Sequence, residues 1–357
     1  AWSLALWIVA AGVIMPVWLN LVGVPTPMPN VSSASFVGHL LWRVTLGGAY
    51  HLGTVAFARH RGPDRRQVVA GPGGAAAAGV DTNTYFPRRQ DPGDMDLEIA
   101  GNTALVAASS SGLGRASAAA LADEGADVVI NGRDADRLER TAAALRESAA
   151  GEVYPVAADL TDPAAVEALV ATTVAEFGGI DHLVTNAGGP PSGPFLETTA
   201  DDWQDAYELL VRSATGLCRA ASEPLRADGG GTIVSITSKS VKEAADGLVL
   251  SNSVRMAVVG LAKTLADEWA PEVRANVVMP GSHATERMEE LARQAHERGD
   301  YGTLAAARES FVEGVPAGRM GDPARFGQVV AFLSGEPTSF VNGAALMVDG
   351  GEAGSIL

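Results

Sequence analysis

From Thr103 onward, short runs of β-branched and aliphatic residues alternate with longer alanine-rich amphipathic runs, and this alternation constrains the fold more than any other feature. The predicted strands are Thr103–Ala107, Asp127–Asn131, Val153–Val156, His182–Asn186, Gly231–Ile236, Arg274–Met279 and Ala345–Val348. Helical runs fall between them, among them Leu113–Glu124, Ala135–Ala149, Pro163–Phe177 and Asp201–Ala227. Parallel strands need long crossovers, and strands apolar on both faces must be covered on both. The expected fold is therefore α/β, a Rossmann-like doubly wound parallel sheet with its ligand at the carboxyl ends of the strands.

The first strand runs into Ala108-Ser109-Ser110-Ser111-Gly112-Leu113-Gly114 and then a helix. Glycines at such a junction let the backbone approach a pyrophosphate, and the helix start offers unpaired N–H groups at the positive end of its dipole. A tight helix-capping turn would use the same residues, and only the position after the first strand makes the pattern specific. Ser109, Ser111, Gly112, Leu113 and Gly114 are thus the first cofactor candidates. The second strand ends Asn131-Gly132-Arg133, where NAD-binding folds place an acid on the ribose 2′-hydroxyl and NADP-binding folds an arginine. Gly132 with Arg133 favours NADP(H) over NAD. Asp159-Leu160, closing the third strand, is placed to meet the adenine, although helix capping at neighbouring Thr161 or Asp162 is an ordinary alternative.

Composition narrows the partners. The formal charge is −16, which argues against a nucleic acid. Lysine occurs only as Lys239, Lys242 and Lys263; an acidic, lysine-poor surface suits high salt, and an ordinary acidic protein from a GC-rich genome gives a similar composition. Cys218 is the single cysteine, so no intrachain disulfide forms and a reducing compartment fits. Six His and one Cys without ligand spacing point to no metal.

The N-terminal part reads differently. Ala1 to Val24 carries no charge, and as a helix it would span ~36 Å, against ~30 Å of hydrocarbon. A second apolar stretch, 35–57, contains His39, Arg43 and His51 and is followed by Arg59, Arg61, Arg65 and Arg66, a basic flank that stays cytoplasmic. Residues 1–66 are expected to be a membrane segment of two apolar helices, 67–94 a Gly-, Ala- and Pro-rich linker, and 95–357 the catalytic domain facing the cytoplasm. A cleaved signal peptide, a hairpin packed on a partner, or an over-extended reading frame ahead of Met95 are competing readings; the last makes the protein simply cytoplasmic.

Residues 97–352 resemble the short-chain dehydrogenase/reductase family, near its 3-oxoacyl-acyl-carrier-protein reductase-like members. Six motifs in family order carry the likeness: Gly112-Leu113-Gly114, Asp159-Leu160, Asn186-Ala187-Gly188-Gly189, Ile236-Thr237-Ser238, Met279-Pro280-Gly281 and Val348-Asp349-Gly350-Gly351. The resemblance implies that Asn186, Ala187 and Gly188 line the cofactor ribose, that Pro280, Gly281 and Thr285 flank the nicotinamide, and that Ser282–Met320 covers the substrate. It also implies a homo-oligomer and a small carbonyl or alcohol substrate.

The family's catalytic set of Ser, Tyr and Lys, often with a helper Asn, is broken. Ser238 fits the Ser, but Ser251 stands at the Tyr position, Arg255 at the Lys position, and Leu210 where the Asn is expected. No Tyr followed four residues later by Lys exists in the chain. A serine hydroxyl is a far weaker acid than a phenol of pKa ~10, and arginine, with pKa above ~12, is no acid or base. Arginine still hydrogen-bonds a ribose and supplies charge. A divergent branch of the family shares this pattern, with Asn186–Pro190, Ser240-Val241-Lys242 and Ser251-Asn252-Ser253-Val254-Arg255, which implies a remodelled site. Lys242 is the candidate acid, weighed against a solvated loop lysine; His283 is the weaker alternative. Two functions follow: an oxidoreductase with Ser238, Lys242, Ser251 and Arg255 as its catalytic candidates, or a silent, membrane-tethered dinucleotide sensor or scaffold.

Overall fold

The computed structural model describes residues 95–227 and 229–355, so the expectations for 1–66 and 67–94 lie outside the described residues. Among the described residues no helix is long and apolar enough to cross a membrane.

Seven strands form one sheet: β1 Thr103–Val106, β2 Asp127–Gly132, β3 Val153–Ala157, β4 His182–Thr185, β5 Gly231–Ile236, β6 Val273–Pro280 and β7 Ala345–Val348. Their order is β3-β2-β1-β4-β5-β6-β7, and every pairing is parallel. Successive strand residues point to opposite faces, which sorts the core in two. Ala104, Val106, Val128 and Ile130 pack on one face with Leu121, Leu138 and Phe326. Leu105, Val129, Leu183 and Ile233 pack on the other with Leu169, Leu217 and Leu265. The first group of helices is α1 Gly112–Asp123, α2 Ala135–Arg146 and, much later in the chain, α10 Pro323–Ser334. The second is α3 Pro163–Phe177, α5 Ser213–Ala220 and α7 Met256–Glu268. Helices thus cover both faces, as the apolar strands require. A Cβ on Gly327 of α10 would lie 2.1 Å from the Ala116 carbonyl oxygen, so α10 rests directly on the backbone of α1.

Strand order reverses between β1 and β4. The crossovers from β1 and β4 leave on opposite faces, and their carboxyl ends part to open a crevice. The remaining elements surround it: α4 Ala200–Tyr207, α6 Val249–Val254, α8 Glu286–Glu297 and α9 Leu304–Glu313.

The single helix expected over Asp201–Ala227 is divided instead. A π turn at Glu208–Arg212 separates α4 from α5, and the helix stops at Ala220. Pro224 accounts for the early stop, since its ring cannot continue the i→i−4 ladder. π turns insert an extra residue and collect at functional sites. Here Leu210 is buried within the turn while Leu209 lines the crevice.

Candidate active site

The crevice is a cleft of about 1140 Å³ running from the turn after β1 to the covering helix α8. At one end it is lined by the turn after β1. Ala108 has φ 45° and Gly112 φ 57°, both in the left-handed region that lets the chain double back into α1. Ser111 is the N-cap of α1 but makes no side-chain cap bond, leaving the first N–H groups for a ligand. Ser110, Ser111, Gly112 and Leu113 line the cleft.

Ser109 and Gly114, expected at the cofactor, are not among the residues that line it. Ser109 is fully buried; its hydroxyl donates to the Val106 carbonyl at 2.7 Å and accepts from the Asn131 N–H at 2.9 Å. It rivets the turn to β2. A Cβ on Gly114 would lie 2.5 Å from the Ala108 oxygen and 2.7 Å from Asn186 Nδ2. Gly114 therefore lets α1 pack against the strand ends. Asn186 Nδ2 in turn donates to the Ala108 carbonyl at 3.1 Å, so the β1 and β4 turns are one unit.

At the end of β2, Asn131 donates to the Val156 and Ala158 carbonyls at 3.2 Å, tying the β2 and β3 turns together. Arg133 is exposed and lines the cleft. The acid beside it, Asp134, is engaged as N-cap of α2, accepting from Arg137 N–H at 2.9 Å. Asp159 and Leu160 line the cleft as expected. Hydrogen bonds from the Thr161 N–H and hydroxyl, with the charge of Arg133, hold the Asp159 carboxyl below its usual range.

The other end is built of side chains. Asn186, Ala187, Gly188, Pro280, Gly281 and Thr285 all border the cleft, as do Ser238, Ser251 and Arg255. Arg255 is 9% exposed. Its Nε donates to Ser251 Oγ at 3.2 Å and its Nη2 to the Gly188 carbonyl at 3.1 Å. Burial, and then the nearby charge of Arg287, push its pKa down to about 10, so it stays a cation at neutral pH. Ser240 Oγ lies 3.5 Å from Ser251 Oγ.

Lys242, the expected acid, is exposed and does not line the cleft. Ser238 caps a short helical turn, Lys239–Val241, by accepting from Ser240 N–H at 3.1 Å, and that turn presents Lys239 to the cleft instead. Lys239 Nζ is 2.8 Å from Glu352 Oε1. The Glu352 carboxylate also accepts from Ser282 N–H at 2.8 Å and Ser282 Oγ at 3.0 Å, clamping the C-terminal tail over the Pro280-Gly281 turn. His283 is buried, with Nδ1 3.1 Å from the Gly281 carbonyl and its ring edge-on to Phe326. Burial holds its pKa below the usual value. It packs the base of the cleft.

Sequence reasoning missed Ser110, Lys239, Arg287 and Glu352. Lysine scarcity was a usable signal, since Lys239 and Lys242 shared it. Glu352 carried none, because its partners lie 113 and 70 positions away in the chain.

Residues 107–352 match a family model described as enoyl-(acyl carrier protein) reductase. D-threitol dehydrogenase of Mycolicibacterium smegmatis is 32% identical over 261 residues, covering 72% of this chain and 95% of that protein. L-fucose dehydrogenase of Oryctolagus cuniculus is 37% identical over 259 residues, covering 72% and 87%. The solved L-sorbose reductase of Gluconobacter frateurii, in complex with NADPH and L-sorbose, superposes with a TM-score of 0.69 at 32% identity, covering 73% of this chain and all of that one.

Proposed function

The chain belongs to the short-chain dehydrogenase/reductase family, and from that premise we propose that it is an NADP(H)-dependent oxidoreductase interconverting a carbonyl and an alcohol in a remodelled site. One observation carries this reading: the main-chain cradle at the β1 turn and the Ser238, Ser251, Arg255 cluster open into the same cleft. The residues present fit the dinucleotide. The uncapped start of α1 suits a pyrophosphate, Thr285 lies within 3.8 Å of a Cβ built on Gly112, and Asn186 to Gly188 border the space between. Arg133 in the cleft, with Asp134 diverted to a helix cap, supports NADP(H) over NAD(H). The neighbour solved with NADPH supports the same choice.

A bound NADPH supplies the hydride. Ser238 orients the carbonyl oxygen. Ser251 accepts from Arg255 Nε, which leaves its own O–H free to donate to that oxygen. Such a hydroxyl, with the Arg255 charge behind it, stabilises the developing alkoxide; it does not give up a proton as a phenol would. The proton comes from solvent through the Lys239 ammonium, which Glu352 holds at the cleft wall. The named activities of the relatives, on a polyol, on L-fucose and on L-sorbose, support a small polar substrate.

The test is to titrate the full chain with NADPH and NADH and then follow NADPH oxidation across a panel of ketones, aldehydes and oxo acids. Tighter NADPH binding with oxidation by at least one compound is expected. Binding without oxidation across the panel would favour the silent dinucleotide module. Equal affinity for both cofactors would remove the role of Arg133.

A further inference from the structure

The cations of the substrate end are unequally paired. Lys239 is paired with Glu352 at 2.8 Å, Arg298 with Asp300 at 2.9 Å, and Arg287 with Glu290 at 3.0 Å. Arg255 alone has no carboxylate within ion-pair distance among the described residues, although it is the most deeply buried of these cations. A buried charge without a counter-charge is unfavourable unless a partner is supplied. Every side-chain nitrogen and oxygen that is fully buried has a hydrogen-bond partner among the described residues. Among the described residues Arg255 Nη1 has no hydrogen-bond partner, so it is not fully enclosed, and Arg255 lines the cleft.

Arg287, from α8, comes to the same turn. Arg255 Nη2 donates to the Gly188 carbonyl at 3.1 Å and Arg287 Nη2 to the Pro190 carbonyl at 2.6 Å, so the two guanidiniums grip one turn two residues apart. Gly189 lies between them, and a Cβ there would sit 2.5 Å from Arg287 Nε. The missing side chain leaves room for the arginine head to lie flat on the backbone. Arg287 is also close enough for its charge to act on Arg255. Leu248, Met288, Leu291 and Phe311 line the same cleft, together with Glu197, Asp246 and Tyr301.

Resting on the carbonyl-reductase reading above, we propose that the Arg255–Arg287 pair binds a carboxylate of the substrate, so that the natural substrate class is an aliphatic oxo acid or the matching hydroxy acid. The planar fork of a guanidinium matches a carboxylate. Leu248, Met288, Leu291 and Phe311 suit a short hydrocarbon stretch between the carboxylate and the reacting carbonyl.

The test uses the full chain saturated with NADP⁺, so that the cofactor's own phosphates are already in place. Calorimetry then compares pyruvate with methyl pyruvate, acetoacetate with methyl acetoacetate, and levulinate with methyl levulinate. Within each pair only the charge is lost, and across pairs the carboxylate moves one carbon further from the carbonyl. At least one acid should bind tenfold or more tighter than its ester, the order of magnitude expected for about one charge-assisted contact. Arg287→Met should bring that ratio below about threefold while NADP⁺ affinity is retained. No acid preference in any pair would overturn the proposal with the wild-type protein alone, whether or not the variant folds. That result is also expected if the cofactor ribose takes the free Arg255 nitrogen. The same samples given NADPH separate the two claims. An acid preference in binding without NADPH oxidation would leave the anion site and remove the reductase; oxidation of esters as readily as acids would do the reverse.

Discussion

At the β1 turn the cleft is lined by Ser110 to Leu113, while Ser109, Asn131 and Asn186 hold four strand ends together from behind. Around Ser251 the wall is side chains from five separate segments: the turns after β4 and β6, the Lys239 turn, α6 with Arg255 at its end, and α8. The first wall is specified by strand order and by glycines that allow close packing, so the fold itself maintains it. The second depends on which side chains stand at a few positions. Side chains such as Ser251 and Arg255 at one end can therefore vary without disturbing the turn after β1 at the other.

Gly114→Val should have the largest effect, because it attacks the wall the fold maintains. Its side chain would meet the Ala108 oxygen and the Asn186 amide, each under 3 Å from the first added carbon. A loss of about 4 kcal/mol or more is expected in denaturant unfolding, with NADPH affinity lost as well. Retained affinity and stability would break the distinction between the two ends. Arg255→Met attacks the other wall. Turnover should fall by about a hundredfold to a thousandfold, as for other groups that stabilise an oxyanion. Stability should change by no more than about 1 kcal/mol, or rise, because an uncompensated buried charge is removed.

A buried histidine, at the amino-terminal end of the central strand, sharpens the contrast. His182 opens β4, accepts from Asn102 Nδ2 at 3.0 Å through Nε2, and so donates from Nδ1 to Thr232 Oγ1 at 2.9 Å. Burial, with a smaller contribution from Arg274, lowers its pKa to about 4 from 6.5. The folded chain leaves it neutral through that window while the unfolded chain takes up the proton. Stability therefore falls as pH falls from about 6.5 towards about 4, by up to about 3 kcal/mol from this group. Unfolding free energies across that range should show the slope, and His182→Gln should flatten it. An unchanged slope would mean that other groups dominate acid unfolding.

Smaller effects should separate the ends further. Arg133→Ser is expected to cut the preference for NADPH over NADH by about tenfold, with turnover at saturating cofactor unchanged, because it alters only the exposed edge of the cradle. Lys242→Ala should leave both affinity and turnover within about twofold, since Lys242 is exposed and outside the cleft. Lys239→Ala should slow turnover. The reverse pattern for the two lysines would restore Lys242 as the candidate acid.

What the sequence made legible follows the same division. β5 and β7 begin and end where the apolar runs do, and α3 fills Pro163–Phe177, bounded by an Asp cap and Gly178. Periodicity and capping are local, so local reading succeeds. The arginine after β2 and the glycine turn after β1 were equally visible. Ser109 and Gly114 were recognised as important, but their contacts with Asn131 and Asn186 cross between strands, and pattern alone could not tell packing from binding. The choice between Lys239 and Lys242 depended on one short helical turn capped by Ser238. Glu352 and Arg287 reach the site only through tertiary contact, and no spacing in the chain announces either.

The most direct measurement is deuterium transfer. The full chain would be incubated with NADPH carrying deuterium at the transferable position and with the panel of carbonyl compounds, and the products read by mass spectrometry. Deuterium should appear on the carbinol carbon of at least one product, and Arg255→Met should reduce its rate without abolishing NADPH binding. NADPH binding with no deuterium in any product would contradict catalysis by the Ser238, Ser251 and Arg255 arrangement.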